Sequence, residues 1–441
     1  MGKTRNSLNK QLIFWSITVS LGGFLFGMDV AVISGVEQSI QKLWSLDTLQ
    51  QGLAVAIALY GTVIGAAFGG LPSDTLGRKR TLQWIGLLFF ISAIGSAMAD
   101  DVNVFMIFRL IGGLSIGASS VVAPVYISEI APPRFRGRMG ISFQLNVVLG
   151  ILVAYISNYF INGGPNDWRW MIGIVAIPAL LFLILMSFTP ETPRWLILHK
   201  GKIDEAKKII ALTNPEVDKA VNEIVKSKTE TGTHERLFSK KFGWPILLAF
   251  LFALFNQLSG INAIIYYSPR IFEMTGLGKD SALLSSAGIG VANLIFTILG
   301  WLFIDRLGRR VLMYIGSIGY IISLGLISFA FFNQSFGAVP IYIFSFIAAH
   351  AIGQGSVIWV FISEIFPNSV RASGMAWGAL THWVFAAIIA NIFPFFSEKL
   401  GGGIIFLFFT AMMVFQLFYV ALMMPETKGV SLENLEKELI K

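Results

Sequence analysis

Residues 74–80 read DTLGRKR, and residues 305–310 read DRLGRR. Each is an acidic residue, a Leu-Gly step and a knot of cations set between long apolar runs. Two further pairs keep the same order: YISEIAPPRFRG at 126–137 with FISEIFPNSVRA at 361–372, and Pro190-Glu191-Thr192-Pro193 with Pro425-Glu426-Thr427-Lys428. Three matched pairs, each following a corresponding apolar segment, predict two parallel halves of six spans related by an axis along the membrane normal.

The segments between these markers are apolar enough to be spans. Of 441 residues, 55% are apolar and 13% charged, whereas an ordinary soluble domain carries about 25% charged residues. Runs such as 12–36, 82–99 and 311–332 hold almost no charge, and each can cross a hydrocarbon core of ~30 Å as a helix. About twelve such spans of ~20 residues are expected, near 12–35, 51–72, 81–99, 103–130, 140–161, 168–189, 243–270, 281–304, 311–332, 338–365, 373–396 and 401–424. The runs are continuous rather than alternating, which predicts helices and not a barrel. The expected fold is therefore all-α and polytopic: an N-terminal six-helix bundle over 1–189, a small intracellular helical domain over 190–241, a C-terminal six-helix bundle over 242–424 and a cytoplasmic tail over 425–441. DEAKKIIAL and PEVDKAVNEIVKSK within 190–241 carry apolar residues at helical spacing. Gly61, Gly65 and Gly69 form a ladder of small residues that lets two helices approach closely.

A net charge of +8 raises the question of nucleic acid, and the positions of the cations answer it. With a cytoplasmic N-terminus, only Lys42, Arg169, Arg270, Lys279 and Lys399 fall outside, and Arg109 lies within a span. All other Lys and Arg gather on the inner side. This positive-inside bias points to a cell-membrane protein with both termini cytoplasmic, whose partner is the lipid bilayer and not nucleic acid. The absence of cysteine excludes disulfides and thiolate metal sites. The first apolar run reads as a span and not as a cleavable leader. The triplet Asn333-Gln334-Ser335 fits a glycosylation acceptor, a pattern common by chance.

An ionisable group within a span is costly and is a functional candidate by default. Asp29 in the first span and Arg109 in the fourth are the two strong ones. Either they form a structural ion pair, or they form a proton switch, since burial raises the pKa of a carboxyl and a nearby guanidinium lowers it. One proton crossing 100 mV supplies ~2.3 kcal/mol, enough for roughly a fifty-fold solute gradient. No nucleotide motif, cofactor site or metal cluster is present in the spans, and no nucleophile and base pair marks an enzyme.

Neutral polar and aromatic residues form the next group: Gln144, Asn256, Gln257, Asn262, Tyr266, Tyr267, Asn293, Trp359, His382 and Trp383. Any one of them serves equally well as an interhelical hydrogen bond or an interface aromatic. Together they suit a neutral hydroxylated solute, because carboxamides donate and accept as hydroxyls do and indoles stack on C–H faces. Gln257 and Asn262 are roughly 140° apart on a straight helix, so a break at Gly260 is needed for both to face one cavity. At the inner ends, Glu129 with Arg136, Glu364 with Arg371, and Asp74 and Asp305 within their Arg-rich turns are expected to form ion pairs that hold the cytoplasmic side shut. Solvated charge is the plainer alternative.

These residues carry a resemblance to the sugar porter family of the major facilitator superfamily, which includes the bacterial xylose/proton symporter and the facilitative glucose transporters. It runs from about Gly22 to Gly429 through GGFLFGMDVAVISG, PSDTLGRKR, FRLIGGLSIG, YISEIAPPRFRG, PETPRW, QLSGINAIIYYSP, DRLGRR, SEIFPNSVR and PETKG. The resemblance implies two bundles with an intracellular helical domain, alternating access and a sugar site between the bundles. It matches Asp29 and Arg109 to the proton-coupling acid and its arginine partner. It matches Gln144, Gln257, Asn262, Asn293 and Trp359 to sugar-coordinating positions, and Trp383, Phe26, Tyr266 and Tyr267 to residues that line or gate the cavity. Gly355 matches a flexible glycine ahead of the tryptophan. Asn256, Ile151, Ser356 and His382 depart from the family pattern around the sugar, and Val175 replaces an additional acid of the xylose symporter. Gln257-Leu258-Ser259 resembles the triplet of glucose-selective facilitators. The expected function is import of a neutral monosaccharide by proton symport, working as a monomer. A facilitative uniporter of the same fold and a sugar sensor are the alternatives, the latter disfavoured by the short stretch after Pro425.

Overall fold

The computed structural model describes residues 10–132, 135–212, 216–230, 236–367, 369–430 and 432–439, without the side chains of 136–138, 227–230 and 432–433. The first half holds α1 (Lys10–Val32), α2 (Glu37–Leu43), α3 (Thr48–Phe68), α4 (Gly70–Leu76), α5 (Arg78–Ala97), α6 (Val102–Ile130), α7 (Arg136–Ile161), α8 (Asp167–Gly173) and α9 (Ala176–Ser187). Three short helices follow, α10 (Pro193–Lys200), α11 (Ile203–Ile210) and α12 (Val217–Glu230). The second half holds α13 (Gly243–Leu258), α14 (Ile261–Met274), α15 (Lys279–Leu307), α16 (Arg309–Phe332), α17 (Val339–Ile352), α18 (Gln354–Ile365) and α19 (Arg371–Leu422), before α20 (Leu432–Leu439).

Among the described residues, eleven helices or helix pairs are long and apolar enough to cross a membrane. The sequence predicts twelve crossings, and the difference lies in α19. Its 52 residues would run about 78 Å as one rod, far beyond a ~30 Å core. The backbone instead leaves the helical region at Gly401, with φ 76° and ψ 160°, dividing α19 into the two arms that the twelve-span reading requires. Large apolar side chains such as Ile107, Leu302, Phe329 and Phe415 are exposed, as they must be where the solvent is lipid.

Close backbone approach explains the glycine ladder. A Cβ on Gly61 would sit 2.3 Å from the Leu110 carbonyl oxygen, and one on Gly65 would sit 2.2 Å from that of Leu114, so α3 lies directly on α6. Between the halves, α3 packs on the first arm of α19, α7 on α15 and α1 on α14. The face on which α1 begins, here the near face, carries α10 to α12. The opposite, far face carries α2.

The repeated motifs build matched turns on the near face. Gly77 (φ 105°) and Gly308 (φ 92°) hold a conformation that disfavours a side chain. A Cβ there would meet the carboxylate of Glu191 or Glu426, at 2.3 and 2.6 Å. Those carboxylates explain the PET repeats. Glu191 accepts from the backbone N–H groups of Arg78, Lys79 and Thr192, and Glu426 accepts from those of Arg309, Arg310 and Lys428. Each anion caps the unpaired start of a spanning helix, where the helix dipole favours it.

α13 and α14 make one crossing, broken at Gly260 (φ 82°) and kinked again at Tyr267, where φ is −121° and ψ 18°. Pro269 accounts for the second feature: it has no N–H to offer the Ile265 carbonyl four residues back. The Tyr155 hydroxyl of α7, in the other half, donates to that carbonyl at 2.8 Å.

Two outcomes test this packing by thermal unfolding of purified protein. Gly65→Val forces α3 off α6 and should cost about 1–3 kcal/mol, whereas Gly140→Ala in α7, with no described atom within 4 Å of its Cβ, should hold or slightly raise the melting temperature, since Ala favours a helix over Gly by up to about 1 kcal/mol. Tyr155→Phe leaves a buried carbonyl without a donor and should cost about 1–3 kcal/mol, read as a lower melting temperature.

Candidate substrate and proton site

The charged centre of the first half lies between α1 and α6. Asp29 and Arg109 are 2% and 1% exposed. Arg109 Nη1 donates to Asp29 Oδ1 at 2.7 Å, and Nη2 donates to the Asp29 backbone oxygen at 3.2 Å. Gly112, next to the pair, makes room for Ser92: a Cβ there would lie 2.5 Å from Ser92 Oγ, and at an ordinary contact distance of 3.6 Å from Asp29 Oδ1. Among the described residues, Asp29 Oδ2 and Arg109 Nε have no hydrogen-bond partner. The pair is thus neutralised but incompletely bonded, with one carboxylate oxygen free to take a proton or a donor.

The break at Gly260 turns the start of α14 back toward the end of α13. Asn262 Nδ2 donates to Gln257 Oε1 at 2.6 Å, and Gln257 Nε2 donates to Asn256 Oδ1 at 2.9 Å. His382 on α19 brings its ring nitrogens within 3.1 and 3.2 Å of Gln257 Nε2. Aromatic rings extend this cluster, with Trp359 and His382 centroids 5.2 Å apart, His382 and Trp383 4.8 Å, and Trp383 and Phe26 5.5 Å. Phe26 belongs to α1, so the cluster bridges the halves a few residues from Asp29. Asn293 on α15 is buried and accepts from Thr297, while Gln144 on α7 is half-buried. Tyr266 and Tyr267 are fully buried. The Tyr267 hydroxyl donates to the Ala390 carbonyl at 2.8 Å, and that of Tyr266 has no partner among the described residues.

Several expected arrangements differ. Arg78 pairs with Glu129 at 3.1 Å and with Asp74 at 3.0 Å, while the side chain of Arg136 lies outside the described residues. Glu364 pairs with Arg309 at 2.8 Å and not with Arg371, which donates to the Phe366 carbonyl; Arg309 also meets Asp305 at 3.4 Å. The Leu-Gly turns aim these arginines back into their own half, so every one of these pairs is internal to a half and none ties the near face shut. The helix break in the tenth crossing falls at Gly353 (φ −83°, ψ −102°), with Gly355 already inside α18.

Between described residues, the hydrogen bonds and ion pairs that join the halves run from mid-depth to the far face. Arg270 of α14 embraces Glu37 of α2 at 2.9 Å through both Nε and Nη2. Asn391 Nδ2 donates to the Tyr60 hydroxyl at 3.1 Å, Asn162 Nδ2 to Asp280 at 2.7 Å, and Lys279 meets Asp167 at 3.5 Å. The sequence marks Arg270 only as an outer-side cation, and neither Glu37 nor the pair is singled out by it. The signal available was the short SPRIFE stretch, where an arginine adjoins a helix-kinking proline inside an otherwise apolar crossing.

The family model described as "Sugar (and other) transporter" matches residues 15–439. The arabinose-proton symporter of Bacillus subtilis is 35% identical, over 99% of this chain and 97% of its own. The glucose transporter GlcP of Staphylococcus epidermidis is 35% identical, over 98% and 97%. Among solved structures, the inward open conformation of the xylose transporter XylE from E. coli superposes with a TM-score of 0.87 at 32% identity, covering 97% of this chain and 100% of that one. The two six-helix halves, the repeated turns and these matches together place the chain in the sugar porter family of the major facilitator superfamily, as a sugar transporter and not an enzyme.

Proposed function

We propose that the chain imports a neutral monosaccharide together with a proton, by alternating access between the two halves. The observation that carries this reading is the fully buried Asp29–Arg109 pair with Asp29 Oδ2 unbonded. A structural ion pair gains most when all its polar atoms are satisfied; a carboxylate with one free oxygen in a low-dielectric site is poised to bind a proton. The solute is neutral, because the buried Arg109 and the partly buried Arg270 are each engaged by a carboxylate. Gln257, Asn262, Asn256, Gln144, Asn293 and His382 supply donors and acceptors for its hydroxyls, and Trp359, Trp383 and Phe26 supply stacking faces. Tyr266 and Tyr267 lie at the kink that closes the far side.

The near face, with its excess of cations and the three short helices, is cytoplasmic, and so are both termini. With the halves joined on the far side, the arrangement corresponds to a carrier facing the cytoplasm, and the likeness to an inward open relative supports this. One chain contains both halves and the whole site, so the carrier acts as a monomer. Glu129, Glu364, Asp74 and Asp305 serve each half from within, fixing the ends of its helices as it rocks as a body.

A second reading, facilitative transport without a proton, keeps the same sugar site and reduces Asp29 to a structural partner. The two are separated by recording pH outside weakly buffered proteoliposomes on adding hexoses and pentoses. Symport predicts sugar-dependent alkalinisation in the wild type and its loss in Asp29→Asn, with sugar exchange retained. Sugar uptake with no pH change in either protein would establish the uniporter.

A further inference from the structure

The Glu37–Arg270 pair is absorbed by none of the functions assigned so far. Glu37 is fully buried, with 0% exposure, although it lies beyond the end of the first span. Its Oε1 accepts from Arg270 Nε and its Oε2 from Arg270 Nη2, both at 2.9 Å. Gln51 of α3 donates to the same Oε2, and Arg270 Nη2 also reaches Gln41 Oε1 at 2.7 Å. The fork and carboxylate thus meet edge to edge, the geometry in which guanidinium and carboxylate bind most specifically. The partners come from opposite halves, 233 residues apart.

Arg270 stands on the outer arm of α14, one residue past Pro269. That arm is already separated from the rest of the helix by the kink at Tyr267, so it can pivot without breaking a regular hydrogen-bond ladder. The pair holds this arm against α2 and α3. Beside it, between α2 and the outer end of α14, lies a polar cleft of about 400 Å³ lined by Gln38, Ser39, Lys42, Glu273, Leu277 and Lys279.

We propose that Glu37 and Arg270 form the latch that closes the far face, and that Glu37 is a second carboxylate, besides Asp29, through which protons act on the carrier. This rests on the alternating-access reading, and not on proton coupling at Asp29. From α14, Glu37 faces Arg270, Glu273 and the Tyr267 ring; from α3 it faces the neutral Gln51; on its own helix it has Gln41 nearby. Asp167 on α8 is engaged with Lys279. Burial pushes the Glu37 carboxyl up to about 7, against the pull of Arg270, with Glu273 adding to the rise.

The direction of the pH effect follows from linkage. When the far face opens, Glu37 meets water and its pKa returns toward the ordinary 4.5. The closed form therefore binds the proton more tightly, so closure is favoured as far-side pH falls through about 7, and this gain is complete below the open-state value. Arg270 is what makes closure possible above that pH, by offsetting the cost of burying the anion. Removing Arg270 alone leaves a buried carboxylate without a cation, which should open the face at alkaline pH and allow closure again once Glu37 is protonated.

The chain has no cysteine, so a single introduced thiol reports without background. Ser268 on the outer arm is 1% exposed in the closed form, and Ser268→Cys in proteoliposomes is labelled by a membrane-impermeant maleimide from the far side, without sugar. Rates are normalised to those of the denatured protein at each pH. The latch predicts slow labelling in Ser268→Cys alone. Adding Arg270→Gln should raise the rate at least about five-fold at pH 8, with most of the increase lost at pH 6. Adding both Arg270→Gln and Glu37→Gln should return the rate to within about two-fold of the parent at both values. Arg270→Lys, which keeps the cation but loses the fork, should be intermediate at pH 8, and it decides the matter if Arg270→Gln does not fold. Parental rates in Arg270→Gln and Arg270→Lys at pH 8, or a double variant as fast as Arg270→Gln, would overturn the proposal. Because no sugar or proton flux is measured, this outcome is independent of whether symport through Asp29 holds.

Discussion

A charge in a lipid-solvated bundle must be neutralised where it stands, and the chain meets this constraint with Asp29 and Arg109 at 2.7 Å. The rest of the first half is arranged around the pair. Gly112 lets Ser92 of α5 close in beside it, Arg109 also grips the backbone of α1, and the glycine ladder of α3 draws α6 into place. Desolvation would be prohibitive for either group alone. The same desolvation makes the protonation state of Asp29 responsive to small changes in the Arg109 distance, because the two effects on a carboxyl are large and opposed. In the proposed symport, stability and coupling draw on one interaction.

The second half solves a different problem, how to present several side chains to one cavity from helices that would otherwise turn them away. Its means are breaks: Gly260 aligns Gln257 with Asn262, Gly353 separates α17 from α18, and Pro269 bends the outer arm of α14. Each break releases backbone groups that need partners, and the Tyr155 hydroxyl shows one such debt met across the interface between halves. A link of that kind holds only while the far face is closed, so the irregular backbone that shapes the cavity also ties its shape to the state of the carrier.

Much of this was legible in the sequence because lipid imposes a simple code. Continuous apolar runs gave the crossings, and the paired DxLGR and PET motifs gave the two halves, since the same turn and the same carboxylate cap are built twice. The Gly260 break was legible because Gln257 and Asn262 could not otherwise share a face. The near-face pairs were not: Glu129 and Glu364 have arginines seven residues on, yet the fold brings them Arg78 and Arg309, 51 and 55 residues back. The Glu37–Arg270 contact was hidden for the same reason, as each residue alone resembles an ordinary loop-end charge. In the 52-residue α19 the helical pattern continues through the turn, which is marked by the length limit set by the bilayer together with the charges of Glu398 and Lys399 and the three glycines from Gly401.

The central claim, that a buried carboxylate couples sugar to protons, is tested most directly by accumulation. Proteoliposomes carrying the wild-type protein are given an inward proton gradient and a trace of labelled monosaccharide at equal concentration on both sides. Symport predicts uptake above the equilibrium level that collapses on adding a protonophore. Exchange of label that never exceeds equilibrium, with or without the gradient, would contradict it.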